Sequence, residues 1–374
     1  MFAPVRLFFS LRRHPDIGVV AAVMATSILF AATPFVIPAV AADFDVSIGR
    51  SGMLSAAQVG GFAVTVFIAG RTLRTHRRYL VGGAVAATIF NLLSAVAPTF
   101  ETLLVLRVFA GSAAGLLVWL AWSNAMRTSG SMRSVSAAGP LSVLVSVPLL
   151  AWVANDFGSS GVYVALALVS LPAAFLRAEF AGYKRERKHV SPSKSNIVLV
   201  IALGLMTLSG SATFVFGAAI GVGTGLSALV VSLGFSANAL AGFIAARRPP
   251  ADRLGSIWIF GTAACAALVV FGDEPVLFMI GITMWGFCFW MATPTILRSV
   301  AAWSLAPDER VGDAQSSMAV GRAIGPAVGS ALLIGGSYDP AGAFTITGLI
   351  VAGLTVLSVR IYRRHHQPPV GAVG

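Results

Sequence analysis

Residues 102–126 read TLLVLRVFAGSAAGLLVWLAWSNAM: one charge, Arg107, in a stretch otherwise built of apolar and small residues. A helix needs about 20 apolar residues to cross the roughly 30 Å hydrocarbon core of a bilayer, so this segment reads as a membrane span. It is typical of its surroundings. Hydrophobic residues make up 57% of the 374 and charged residues 11%, with a mean hydropathy of +0.85. A soluble domain carries about a quarter charged residues, because it must cover its core with a wetted surface. Most of this chain therefore faces lipid.

Runs of the same kind on either side give twelve candidate spans. The first half holds Ile17–Ala41, Gly52–Ala69, Tyr79–Ala97, Thr102–Met126, Val135–Val153 and Gly161–Leu176. The second holds Ile197–Ile220, Gly225–Ala245, Leu254–Phe271, Pro275–Val300, Ala314–Gly335 and Ala341–Ile361. The boundary between the seventh and eighth rests only on the glycine-rich stretch Gly221–Gly225. The first run is too long for a signal-peptide core and is kept as a helix.

Lys and Arg set the expected orientation. If both termini and the even-to-odd connections share one side, 23 of the 26 basic residues fall there, while the 14 acidic residues divide evenly. Arg50 lies on the opposite side, and Arg107 and Arg322 lie inside spans. A bias confined to basic residues marks the cytoplasmic face, so both termini are expected in the cytoplasm. The net charge of +12 is then a topology label, and no nucleic-acid partner is implied.

The stretch at 102–126 also has a counterpart. Gly115-x3-Trp119-x7-Arg127 recurs as Gly286-x3-Trp290-x7-Arg298, Ala69-Gly70 as Ala241-Gly242, and Gly139-Pro140 as Gly325-Pro326. The order is kept. The sequence thus divides into a first six-helix half (1–176), a basic linker (177–196) that clusters Lys184, Arg185, Arg187 and Lys188, and a second half (197–374). Parallel repeats of this kind place a substrate site between halves near the midplane.

Three motifs carry a family resemblance. Arg107-Val-Phe-Ala-Gly111 is similar to the Arg-x-x-x-Gly motif in the fourth helix of the major facilitator superfamily. Gly70-Arg-Thr-Leu-Arg74-Thr-His-Arg77-Arg78 resembles that family's cytoplasmic signature after the second helix, without its usual Asp. Gly139-Pro140 resembles the family's antiporter motif, and a fuller version, Gly321-Arg322-Ala-Ile-Gly325-Pro326-Ala-Val-Gly329, stands in the eleventh span. The resemblance covers nearly the whole chain and is nearest to the twelve-helix bacterial efflux branch. It implies an all-α inner-membrane fold of two pseudo-symmetric bundles, alternating access, export, proton antiport, and a monomer carrying a small solute. It also implies gating roles for Gly70, Arg74, Arg77, Arg78, Gly139, Pro140, Arg322, Gly325 and Pro326.

Arg107 stands about 9 Å inside its span at 1.5 Å per residue. A charge at that depth must face a cavity or a partner. At 100° per residue Gly111, Val118 and Trp122 share its stripe. It reads either as a pathway wall or as a structural Arg bonding backbone carbonyls. Arg322 reads either as cavity-facing or as snorkelling to the cytoplasm. Trp285, Phe287, Phe289 and Trp290 crowd the tenth span, where an aromatic surface would suit bulky, partly apolar solutes. Gln58, Asn91, Asn124 and Asn238 are polar at depth and are candidates to line the pathway or to bond between helices.

No Asp or Glu lies near the middle of any span. Carriers for a coupling proton are limited to Asp43, Glu101 and Asp313, all near span ends. A neutral or anionic solute fits this inventory better than a cation. All five histidines lie in loops or tails, and Cys265 and Cys288 lie in separate apolar runs. The chain thus offers no intramembrane metal, haem or cofactor site, and an embedded enzyme cannot be assembled from what remains. A channel, receptor or scaffold is the other alternative, with no filter-like sequence or appended domain to support it. No Gly-x4-Gly-Lys-Ser/Thr loop is present for nucleotide-driven transport.

Overall fold

The computed structural model describes residues 17–125, 129–180, 193–248, 255–305, 307–333 and 336–365. The basic cluster Lys184, Arg185, Arg187 and Lys188, the motif residue Arg127, and His14, His189 and His366 lie outside them. All regular structure among the described residues is helical. In chain order the helices are α1 (Ile17–Asp43), α2 (Ile48–Thr72), α3 (Arg77–Ala95), α4 (Phe100–Ala125), α5 (Ser129–Ser170) and the short α6 (Pro172–Phe175). There follow α7 (Lys194–Phe214), the short α8 (Gly217–Gly223), α9 (Ala228–Ala246), α10 (Gly255–Phe271), α11 (Pro275–Ala302), α12 (Pro307–Leu332) and α13 (Asp339–Arg364).

Among the described residues nine helices are long and apolar enough to cross a membrane. One of them, Ala138–Phe175, holds both the fifth and sixth expected spans. They join at Gly158, whose φ of 63° and ψ of −164° break the helix in a region glycine alone enters cheaply. Gly255–Phe271 is apolar but has only 17 residues. α12 is long, yet its early turns carry Arg310 and Asp313 and its middle carries Arg322. With these, every expected span has a helical counterpart. The uncertain seventh-to-eighth boundary resolves at Gly225, with φ 88°, after which Ser227 caps α9 by accepting from the Val230 amide.

The chain forms two compact units. One comprises Met1–Val36 and Ala57–Arg185, the other Ile37–Ala56 and Glu186–Gly374. The core of the first unit is built on alanine: Ala22, Ala84, Ala87, Ala113, Ala121, Ala138 and Ala173 surround Val19, Leu80, Leu117 and Leu120. Between helices in lipid, association depends on close van der Waals approach rather than on water exclusion, and small residues permit it.

In the second unit α12 lies along α7. A Cβ added at Gly321, Gly325 or Gly329 would run into the carbonyl oxygens of Gly204, Leu208 and Ala212 respectively. Hydroxyls fasten the seam: Ser317 donates to the Val200 carbonyl at 2.9 Å and Thr207 to that of Met318 at 3.1 Å. Across α7 and α13, Thr345 donates to the Ser209 carbonyl at 2.7 Å and Thr213 to that of Ala341 at 3.1 Å. The segment Ile37–Ala56 joins this unit because its glycines permit it. A Cβ at Gly49 would stand 3.1 Å from the Ser330 carbonyl oxygen, and one at Gly52 2.5 Å from Phe216. Cys265 and Cys288 are free thiols buried in α10 and α11.

Candidate functional site

Arg107 is 1% exposed and closed in by three other helices. Its Nε and Nη2 donate to Gln58 Oε1 of α2 at 3.1 and 2.6 Å. Its Nη1 donates to Asn91 Oδ1 and Ser94 Oγ of α3 at 2.9 and 3.2 Å. The guanidinium carbon stands 4.8 Å over the ring of Tyr163 in α5. The partners are thus side-chain amides, a hydroxyl and an aromatic face, neither backbone carbonyls nor open space. A planar fork with five donors is suited to gathering acceptors from two helices at once. Gln58 Nε2 remains buried with no hydrogen-bond partner.

Two glycines on α4 allow this enclosure. A Cβ at Gly111 would collide with the Gln58 carbonyl, and one at Gly115 would stand 2.6 Å from that of Phe62. Gly111 therefore seats α4 on α2 and lines no surface. Trp122, expected on the same stripe, is 39% exposed and has no part in the cluster. Asn124 is buried near the end of α4. Gln58, Asn91 and Arg107, separate candidates in the sequence, come together, and Ser94 and Tyr163 join them. A tyrosine inside an apolar run, one of only five in the chain, was the available signal.

The aromatic run on α11 does not form one surface. At 100° per residue Trp285 and Phe289 share one side of α11 and Phe287 and Trp290 another: Trp285 packs on Phe214 of α7 at 5.5 Å and Phe287 on Trp258 of α10 at 5.5 Å. Trp290 covers Gly242 of α9, where an added Cβ would be 2.5 Å from the indole. Phe289 meets Arg322 of α12 at 5.8 Å and Trp290 edge-on at 6.0 Å. Asn238 of α9 donates to the Ile282 carbonyl at 2.7 Å, so it bonds between helices. The Gly242–Trp290 joint repeats in the first unit, where a Cβ added at Gly70 would stand 3.7 Å from the Trp119 indole. Two of the residues that marked the internal repeat, a glycine and a tryptophan, thus meet in each half.

Arg74, in the loop after α2, and Arg77 and Arg78, in the first turn of α3, are exposed. Arg78 donates to the Tyr79 hydroxyl at 2.9 Å, and His76 caps α3 by accepting from the Arg78 amide. Gly139 of α5 faces Ser27 of α1, with an added Cβ 2.8 Å from its Oγ, and Pro140 follows it inside the helix. The Gly325-Pro326 pair belongs to the α7–α12 seam, packing inside one unit. Asp43, Glu101 and Asp313 are exposed, and Asp313 accepts from Arg310 at 2.6 Å. Every acidic side chain whose exposure is described is exposed.

Similarity to known proteins agrees with this architecture. Over 359 residues, 84% of this chain and 88% of the other, the sequence is 27% identical to a chloramphenicol resistance protein of Streptomyces lividans. The fold is similar to that of the nucleoside transporter NupG, with a TM-score of 0.71 at 11% identity, covering 92% of this chain and 100% of that one. It is also similar to a POT family transporter in complex with a thioalcohol-conjugated peptide, with a TM-score of 0.72 at 13% identity, covering 92% and 96%. Residues 18–330 match the model of the Major Facilitator Superfamily, and with spans, repeat and fold in agreement the chain belongs to that family of multi-pass membrane transporters.

Proposed function

We propose that this transporter exports a small, partly apolar, neutral or anionic solute across a bacterial inner membrane by alternating access, in exchange for protons. The observation that carries the substrate reading is the charge inventory of the helices: two deep arginines and, among the described residues, only exposed carboxylates. A cationic solute would meet repulsion there and no counter-charge. Export is supported by the similarity to a chloramphenicol resistance protein, and chloramphenicol, an uncharged aromatic compound, is the natural first probe. Proton exchange rests on the resemblance, with Asp43, Glu101 and Asp313 as the peripheral carriers available.

Purified protein in liposomes tests the proposal. An imposed pH gradient is expected to drive accumulation of radiolabelled chloramphenicol or of a competing neutral or anionic compound. Movement of a lipophilic cation in preference to these would refute the charge reading. Equal uptake with and without the gradient would remove proton exchange.

A further inference from the structure

The two deep arginines differ in one respect: Arg107 is sealed and makes four hydrogen bonds, whereas Arg322 is exposed. Among the described residues Arg322 has no hydrogen bond or ion pair and meets one ring, that of Phe289, 5.8 Å away. Phe289 stands midway along Pro275–Ala302, about 20 Å of helix from either end at 1.5 Å per residue. The guanidinium therefore lies level with the middle of α11. That is beyond the distance a side chain can snorkel, which removes the reading in which Arg322 reaches for the cytoplasm.

A guanidinium at mid-depth cannot be left facing hydrocarbon. It must look into a wetted recess, and whatever enters that recess meets an uncompensated positive charge. Arg310 shows the contrast: on the same helix, near its polar end, it is paired with Asp313 at 2.6 Å. Beside Arg322 lies an aromatic corner. Phe289 is partly buried, Trp290 is 39% exposed, and the two rings meet at 82° with centroids 6.0 Å apart. A planar fork of donors next to accessible rings complements a carboxylate attached to an aromatic body: the fork takes both oxygens and the rings take the aryl face.

We propose that Arg322, Phe289 and Trp290 form a subsite for the anionic end of the transported solute, and that aryl carboxylates are its ligand class. This deepens the transport reading and rests on it for its physiological purpose. The test does not rest on it. Full-length protein in nanodiscs is titrated calorimetrically with salicylate and with salicylamide, its neutral counterpart. The wild type is expected to bind salicylate about tenfold more tightly. Arg322→Gln should bring the ratio near one, and Arg322→Lys, which keeps the charge but loses the fork, should leave an intermediate preference. Trp290→Leu should weaken both ligands alike.

Equal affinities in the wild type, no binding of salicylate, or an undiminished preference in Arg322→Gln would overturn the assignment. If Arg322→Gln does not fold, Arg322→Lys decides: a reduced preference supports the subsite and an unchanged one refutes it. The transport reading fails separately, when liposomes move no solute although salicylate preference in the nanodisc persists.

Discussion

Arg107 stood out in the sequence because one charge in an apolar stretch must be compensated. The compensation was not legible. Gln58 and Asn91 lie on other helices, and nothing in their spacing says that both turn toward the same point. The crossing of α2 and α4 decides it, and that crossing depends on Gly111 and Gly115. Removing the guanidinium would leave the buried acceptors of Gln58 and Asn91 unmet, so Arg107→Ala should destabilise the protein by about 2–4 kcal/mol, visible in detergent as a lower melting temperature. Gln58→Glu should do the reverse. It replaces the orphaned Nε2 with a second acceptor and gives the cation a counter-ion, for about 1–2 kcal/mol of stabilisation; an unchanged or lower melting temperature would contradict the account. Nothing in the sequence sets Arg363 apart from Arg360 and Arg364 beside it. It is buried, donating to Ser195, Asn196 and Ser299 and stacking on Trp303 at 4.6 Å. Arg363→Ala should cost about 2–3 kcal/mol, while Arg364→Ala, at the exposed neighbouring position, should leave melting unchanged.

Helices were read with greater success than their contacts. Their number and order follow from the length of the apolar runs, whereas the join between the fifth and sixth spans depended on a single backbone angle at Gly158. The glycines at 321, 325 and 329 were visible as a stripe of small residues. That their partner is α7, in the same unit, was not, because a stripe names no partner. The seam yields a sharp comparison. Gly329→Val drives two methyls toward the Ala212 carbonyl and should abolish the folded, monodisperse protein in size-exclusion chromatography. Gly82→Ala in α3 meets nothing within 4 Å and should stabilise its helix, by up to about 1 kcal/mol. If both variants behaved alike, the close approach of α12 to α7 would be in doubt.

Across the whole chain, the distribution of Lys and Arg is the most informative feature and the least dependent on packing. It leads to an expectation that fusion reporters can check: an enzyme active only in the cytoplasm should function when joined after Arg78 or at the C-terminus, and should fail when joined after Ala97. One part of the internal repeat has a counterpart in packing: each half lays a glycine of one helix on a tryptophan of another. The basic linker, by contrast, was legible only as composition. One practical benefit comes from the thiols. The chain has just two cysteines, both shut inside α10 and α11, so the native protein already offers a nearly silent background for maleimide chemistry. Dyes or spin labels attached to single introduced cysteines can follow the transport cycle without first rebuilding the protein as a cysteine-free variant.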